Sequence, residues 1–128
     1  MSIVRHNPSA MYPPYHSYSH ATEVRGDSRL LVIAGLNGYE ADGVTMPESF
    51  DEQAELIWSH LRTALAAAEM DFSNLISLRF YLAEPEYDEA NVRILRRHLG
   101  ELQVPRTVLC ARLLEPGWKL EVEAMAAT

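Results

Sequence analysis

Residues 71–114, DFSNLISLRFYLAEPEYDEANVRILRRHLGELQVPRTVLCARLL, hold the pattern that decides the fold. From Ile76 to Leu82 apolar residues recur at every second position, with Ser77, Arg79 and Tyr81 between them, which is the period of a strand. Pro85 ends that run. Residues 88–99 then read as a helix stopped by Gly100, with Arg93, Arg96, Arg97 and His98 near its C-terminus, where positive charge complements the helix dipole. A second strand, 106–113, begins directly after Pro105. Strand, helix and strand in this order form a right-handed crossover that lays the helix against one face of a sheet.

Working outward, Ser49 followed three residues later by Glu52 has the form of a capping box. Ala54, Ile57, Trp58, Leu61, Ala64, Leu65 and Ala68 then recur at helical spacing, predicting an amphipathic helix that ends near Met70. Upstream, 18–24 and 29–35 read as short strands around the turn Arg25-Gly26-Asp27-Ser28, and 36–48 reads as a loop. Downstream, a tight turn at Leu114-Glu115-Pro116-Gly117 leads to a last strand, 118–126. Residues 1–17, with Pro8, Pro13 and Pro14, read as an extended, irregular arm, leaving 18–128 as the folded domain.

The predicted order is therefore β-β-α-β-α-β-β, an α+β single domain with a mixed sheet and two helices on one face. The other face is left bare. Strand 29–35 is nevertheless apolar on both faces, so a second subunit is expected to cover the bare side.

Composition narrows the function. A chain of 128 residues with 48% apolar content fits one domain, which at this size hides roughly two-thirds of its unfolded surface. Its net charge of -7 repels phosphate backbones, making nucleic acid a poor default partner. A single cysteine, Cys110, suits a reducing compartment, and the opening MSIVRHNPSAMYPPY lacks the apolar core of a secretory signal, so the expectation is a cytoplasmic protein with no membrane span.

No strong catalytic motif is present. His16 and His20 stand four apart, but extended backbone separates them by roughly 13 Å, so no metal is expected. Cys110, mid-strand among apolar neighbours, reads as a buried packing residue rather than a nucleophile. Arg93, Arg96 and Arg97 read as a solvated helix end rather than a phosphate patch. Arg106 stands out. If Leu109 and Leu113 face the helices, alternation puts Arg106, Val108 and Cys110 on the bare face, and the same count puts Glu121 and Glu123 there. An arginine and a carboxylate at such an interface are either a structural ion pair or a binding site, and charges there are normally paired. A guanidinium is also well made to grip a substrate carboxylate through two parallel hydrogen bonds.

Pro105-Arg106-Thr107 through Ala111-Arg112-Leu113, followed by Lys119-Leu120-Glu121-Val122-Glu123-Ala124, resembles the C-terminal signature of the RidA (formerly YjgF) family of reactive-intermediate deaminases. Tyr18-Ser19-His20-Ala21, Val32-Ile33-Ala34-Gly35 and Asn91 fall in the same order. The resemblance covers about residues 18–127. It implies a chorismate-mutase-like homotrimer that hydrolyses 2-enamino or 2-imino acids to 2-keto acids and ammonia in clefts between subunits, without a cofactor. It also implies roles: Arg106 binds the substrate carboxylate, Glu121 positions the attacking water, Tyr18 lies over the cleft with Tyr15 as its rival, Gly35 offers backbone to the ligand, and Asn91 supports the site. The alternatives are a non-catalytic trimer that binds small carboxylates, and the endoribonuclease or translation-inhibitor activity described for some relatives. This chain departs from the family where Ala34-Gly35-Leu36 replaces the frequent Ser-Gly-Gln and where Val108 replaces a frequent cysteine. If the last two strands form a direct hairpin, Glu121 lies opposite Cys110, roughly 13 Å along the strand from Arg106, and the two must come from different subunits.

Overall fold

The computed structural model describes residues 1–14 and 17–128; Tyr15 and His16, and with them the paired-histidine reading and the choice between Tyr15 and Tyr18, lie outside the described residues. Strands β1 (Ser2–His6) and β2 (Ala21–Arg25) pair antiparallel as a small separate sheet. The main sheet has four strands, β3 (Leu30–Asn37), β4 (Leu75–Leu82), β5 (Arg106–Cys110) and β6 (Leu120–Ala127), in the order β3-β6-β4-β5. Helix α1 (Phe50–Ala66) joins β3 to β4, and helix α2 (Asp88–Leu99) makes the crossover from β4 to its parallel neighbour β5. The expected mixed sheet with two helices on one face is present.

The reasons are local and then tertiary. Ser49 caps α1 by accepting from the Glu52 amide at 3.2 Å, but its hydroxyl also donates to the Glu52 carboxylate at 3.0 Å, so only the first half of a capping box forms. The apolar stripe Ala54, Ile57, Trp58, Leu61 and Leu65 is buried against Leu78, Phe80, Leu120 and Val122 of the sheet. Trp58 stacks on His98 of α2 at 5.0 Å between ring centres, tying the two helices together. Gln53 is the buried polar residue of α1. Its amide donates to the carbonyls of Pro47 at 2.9 Å and Gly117 at 3.0 Å, and its oxygen accepts from the Lys119 amide at 2.9 Å. Two loops far apart in sequence are thus fastened to the start of α1. Gln53→Leu strands all three backbone groups and is expected to cost about 3 kcal/mol, read as a lower urea midpoint at unchanged slope.

Several expectations are corrected. The N-terminal stretch is extended but not irregular throughout, since Ser2–His6 lies ahead of all three prolines and keeps its amides for pairing with β2. Arg5 anchors this hairpin, donating to Thr22 Oγ1 at 2.8 Å and to the Leu75 carbonyl at 2.9 Å. The turn at Gly26, with φ of 84°, passes the chain from one sheet to the other rather than pairing β2 with β3.

Nor do β5 and β6 form a hairpin, because β4 lies between them. β4 bears an unbroken row of core residues, which suits a strand paired on both edges.

The faces of β5 are reversed as well. Pairing sets Arg106 beside Leu78, Val108 beside Phe80 and Cys110 beside Leu82, all three β4 residues being buried on the helix face. Val108 packs on the core, while Leu109 is 37% exposed on the open face. Both faces of β5 are apolar, so its composition carried no parity signal, and a one-residue slip turns every side chain over. Cys110 is exposed rather than buried, its thiol 3.6 Å from the Ala83 carbonyl. Glu121 and Glu123 do occupy the open face, alternating with buried Leu120, Val122 and Ala124. Val32, 68% exposed, shares that face.

Candidate functional site

Arg106 opens β5, an edge strand, immediately after Pro105. Its guanidinium lies 5.3 Å from the centre of the Tyr18 ring and donates from Nη1 to the Ser17 carbonyl at 3.2 Å. Among the described residues no carboxylate lies within ion-pair distance of it. Burial lowers its proton affinity, and the nearby charge of Arg96 lowers it further, against weaker support from Tyr18 and Asp88. A half-buried cation with no carboxylate in contact is incompletely compensated, and a bound carboxylate would relieve that cost.

The guanidinium faces a cavity of roughly 270 Å³. Because β5 is at the rim, the cavity draws on both faces of the sheet: Arg106 from the helix face, and Ser77, Arg79 and Thr107 from the open face. Tyr12, Tyr18 and His20 close it from the N-terminal segment. His20 is fixed there by its own contacts. Its Nε2–H donates to the Tyr12 carbonyl at 2.7 Å, and its amide donates to Asn7 Oδ1 at 2.8 Å. The Tyr12 and Tyr18 rings stand edge-on to it, at 5.0 and 5.7 Å.

Glu121 belongs to a different place. Its carboxylate rests over Gly35 at the irregularity where β3 shifts register against β6, so closely that a Cβ on residue 35 would sit 3.0 Å from the carboxyl carbon. Gly35 is therefore the space that Glu121 occupies. Partial burial, and then the neighbouring Glu123, push the Glu121 carboxyl above the ordinary glutamate value. Glu123 is itself held by Arg79 at 3.1 Å and by the Tyr81 hydroxyl.

Of the residues singled out in the sequence, the fold brings together Arg106 with Tyr18, and Glu121 with Gly35, and it keeps the pairs apart. Glu121 is level with Tyr81 and Leu109, three residues along from Arg106 and two strands away, so their Cα atoms are about 14 Å apart. They also project from opposite faces. Asn91 joins neither pair: it is fully buried in α2, with no hydrogen-bond partner among the described residues for either amide atom. Ser77, Arg79 and Thr107 were not legible as cavity residues, since only the register of β4 with β5 brings them to one place, and Tyr12 reaches it from the N-terminal segment.

A family model described as endoribonuclease L-PSP matches residues 9–128. The chain belongs to the endoribonuclease L-PSP, or Rid, family. This agrees with the resemblance read in the sequence. Among solved structures, a Rid-family protein of unknown function from Yersinia pestis, YyfB, is similar over 100% of both chains, with 25% identity and a TM-score of 0.86. Yeast Mmf1 is 20% identical over 98% of both chains with a TM-score of 0.72. RidA from an Antarctic Psychrobacter is 20% identical, covering 90% of this chain and 91% of its own, with a TM-score of 0.73. No curated protein matches the chain. This Rid protein has Ala34 exposed and Leu36 partly buried against the core, so neither supplies a polar group beside Gly35. No helix among its described residues is long and apolar enough to cross a membrane.

Proposed function

We propose that this protein hydrolyses reactive 2-imino acids to 2-keto acids and ammonium, at clefts between subunits of a homotrimer. The observation that carries the reading is Arg106, a cavity-lining guanidinium with no carboxylate of its own among the described residues. In this scheme it binds the substrate carboxylate while Tyr18 supports the plane of its guanidinium. Water adds to the electrophilic C=N carbon of the protonated imine. The carbinolamine then loses its nitrogen as ammonia, which leaves as ammonium, and the C=O of the keto acid forms. No cofactor is needed, because the imine carbon is already activated and requires mainly an oriented water. Glu121 is the group assigned to that water. Its distance from Arg106 within one chain, and its place on the opposite face, support a site in which a second copy supplies it. The exposed open face, with Val32 and Leu109, supports the same assembly.

The direct test is ammonia release from freshly generated 2-iminopropionate. A rate no faster than the buffer reaction would sink the proposal. A second reading, a carboxylate-binding trimer without turnover, is favoured by the same unpaired Arg106. It predicts thermal stabilisation by 2-keto acids and no catalysis. RNA cleavage, suggested by the family's description, sits poorly with a net charge of -7.

Glu121 also sets a pH dependence. As base or water anchor it must be ionised, so activity falls as pH drops through its value. Because that value is raised, the acid limb of kcat/KM is expected above the ordinary glutamate range. Glu121→Gln should lower the rate and flatten the limb together; a limb that survives the substitution assigns it to another group.

A further inference from the structure

Arg79 is a second guanidinium in the Arg106 cavity, and it is unused by the chemistry above. Register places Leu78 beside Arg106 and Arg79 beside Thr107, so the Cα atoms of the two arginines are about 6 Å apart on adjacent strands, and the two side chains start from opposite faces into a cavity that wraps the rim of the sheet. The remaining polar lining consists of hydroxyls and an imidazole: Ser19, Ser77, Thr107, His20 and two tyrosines, with no aspartate or glutamate among the lining residues. In a chain with 18 acidic and 11 basic residues, such a lining runs against the whole. Arg79 is only partly neutralised. Its Nη1 donates to Glu123 at 3.1 Å and it interacts with the neighbouring Tyr81, and a guanidinium has five N–H donors in all.

Building on the carboxylate-binding role given to Arg106, we propose that the substrate is a 2-imino dicarboxylic acid, whose second carboxylate is taken by Arg79 with Thr107 and Ser77. A second guanidinium lining the cavity, only partly satisfied by Glu123 and Tyr81, favours a dianion over a monoanion, since the second carboxylate meets a cation of its own. The hydroxyls of Thr107 and Ser77 can donate to the same group. A substrate with a short aliphatic side chain leaves the Arg79 side of the cavity to water.

The test uses the full chain and two stable keto acids, 2-oxobutyrate and 2-oxoglutarate, titrated by calorimetry into wild type, Arg79→Gln and Arg106→Ala. In wild type the dicarboxylate is expected to bind about tenfold tighter, the scale of one added charge-assisted contact in a partly solvated site. Arg79→Gln should bring the two acids within about twofold by weakening only the dicarboxylate, and Arg106→Ala should weaken both. The same order should appear in kcat/KM for the matching imines. Equal affinity in wild type, or a preference that survives Arg79→Gln, overturns the dicarboxylate assignment and leaves the Arg106 reading standing. Failure of both acids to bind overturns the two together.

Discussion

Arg106→Ala is expected to lower kcat/KM for imine hydrolysis by about two to three orders of magnitude, the usual cost of removing one member of a desolvated, hydrogen-bonded charge pair. The loss should appear largely in KM if the guanidinium holds substrate and transition state alike, and in kcat if it chiefly aligns the imine with the water. Arg106→Lys keeps the charge but not the planar fork, and should recover only part of the rate. The fold should be little affected, because alanine gives up only a hydrogen bond to the Ser17 carbonyl and the packing on the Tyr18 ring, both at the rim of the sheet. A variant with full activity removes Arg106 from the site altogether.

Subunit exchange gives the second large effect. Arg106→Ala and Glu121→Ala proteins should each be nearly inactive. If every cleft takes Arg106 from one copy and Glu121 from the next, random mixing in equal amounts leaves about one quarter of the clefts with both groups intact, because each is present with even odds. Activity should therefore rise from near zero to about a quarter of wild type once the assemblies have exchanged. Sedimentation must show association for the experiment to have meaning, and a monomer at micromolar concentration would refute the arrangement. So would a well-exchanged mixture that stayed inactive.

Much of the fold was legible because it rests on local periodicity. The period of two in β4, the spacing of Ala54, Ile57, Trp58, Leu61 and Leu65 in α1, and the stop at Gly100 identify each element without tertiary information. Strand adjacency is a different kind of fact. The turn at Glu115-Pro116 brings the chain back after β5, but which strand β6 joins is decided by burial across the whole sheet, and β4 and β3 receive it. Parity failed at β5 for a related reason: Val108 and Leu109 are both apolar, and only the pairing with Phe80 shows which one faces the core. Family resemblance supplied Arg106, Tyr18, Gly35 and Glu121. It did not supply the reason for Gly35, which is the space taken by the Glu121 carboxylate. Asn91 was legible as a position, and the structure shows it buried, without a hydrogen-bond partner among the described residues and outside the lining of the cavity. Arg79 read simply as the polar side of a strand.

The placement of β6 between β3 and β4 also bears on how the protein is made. Leu30 pairs with Ala127 and Leu75 pairs with Ala126, so the two halves of the main sheet meet only through residues 120–127. A ribosome that has released everything up to β5 has delivered both helices and three of the four strands, yet β3 still has no strand to join among them. The apolar stripes of α1 and α2 lack the cover of a complete sheet until β6 is available, so the main sheet closes only then and all at once. Chains truncated just before residue 120 should be open to protease and chaperone, and restoring residues 120–127 should protect the whole domain together.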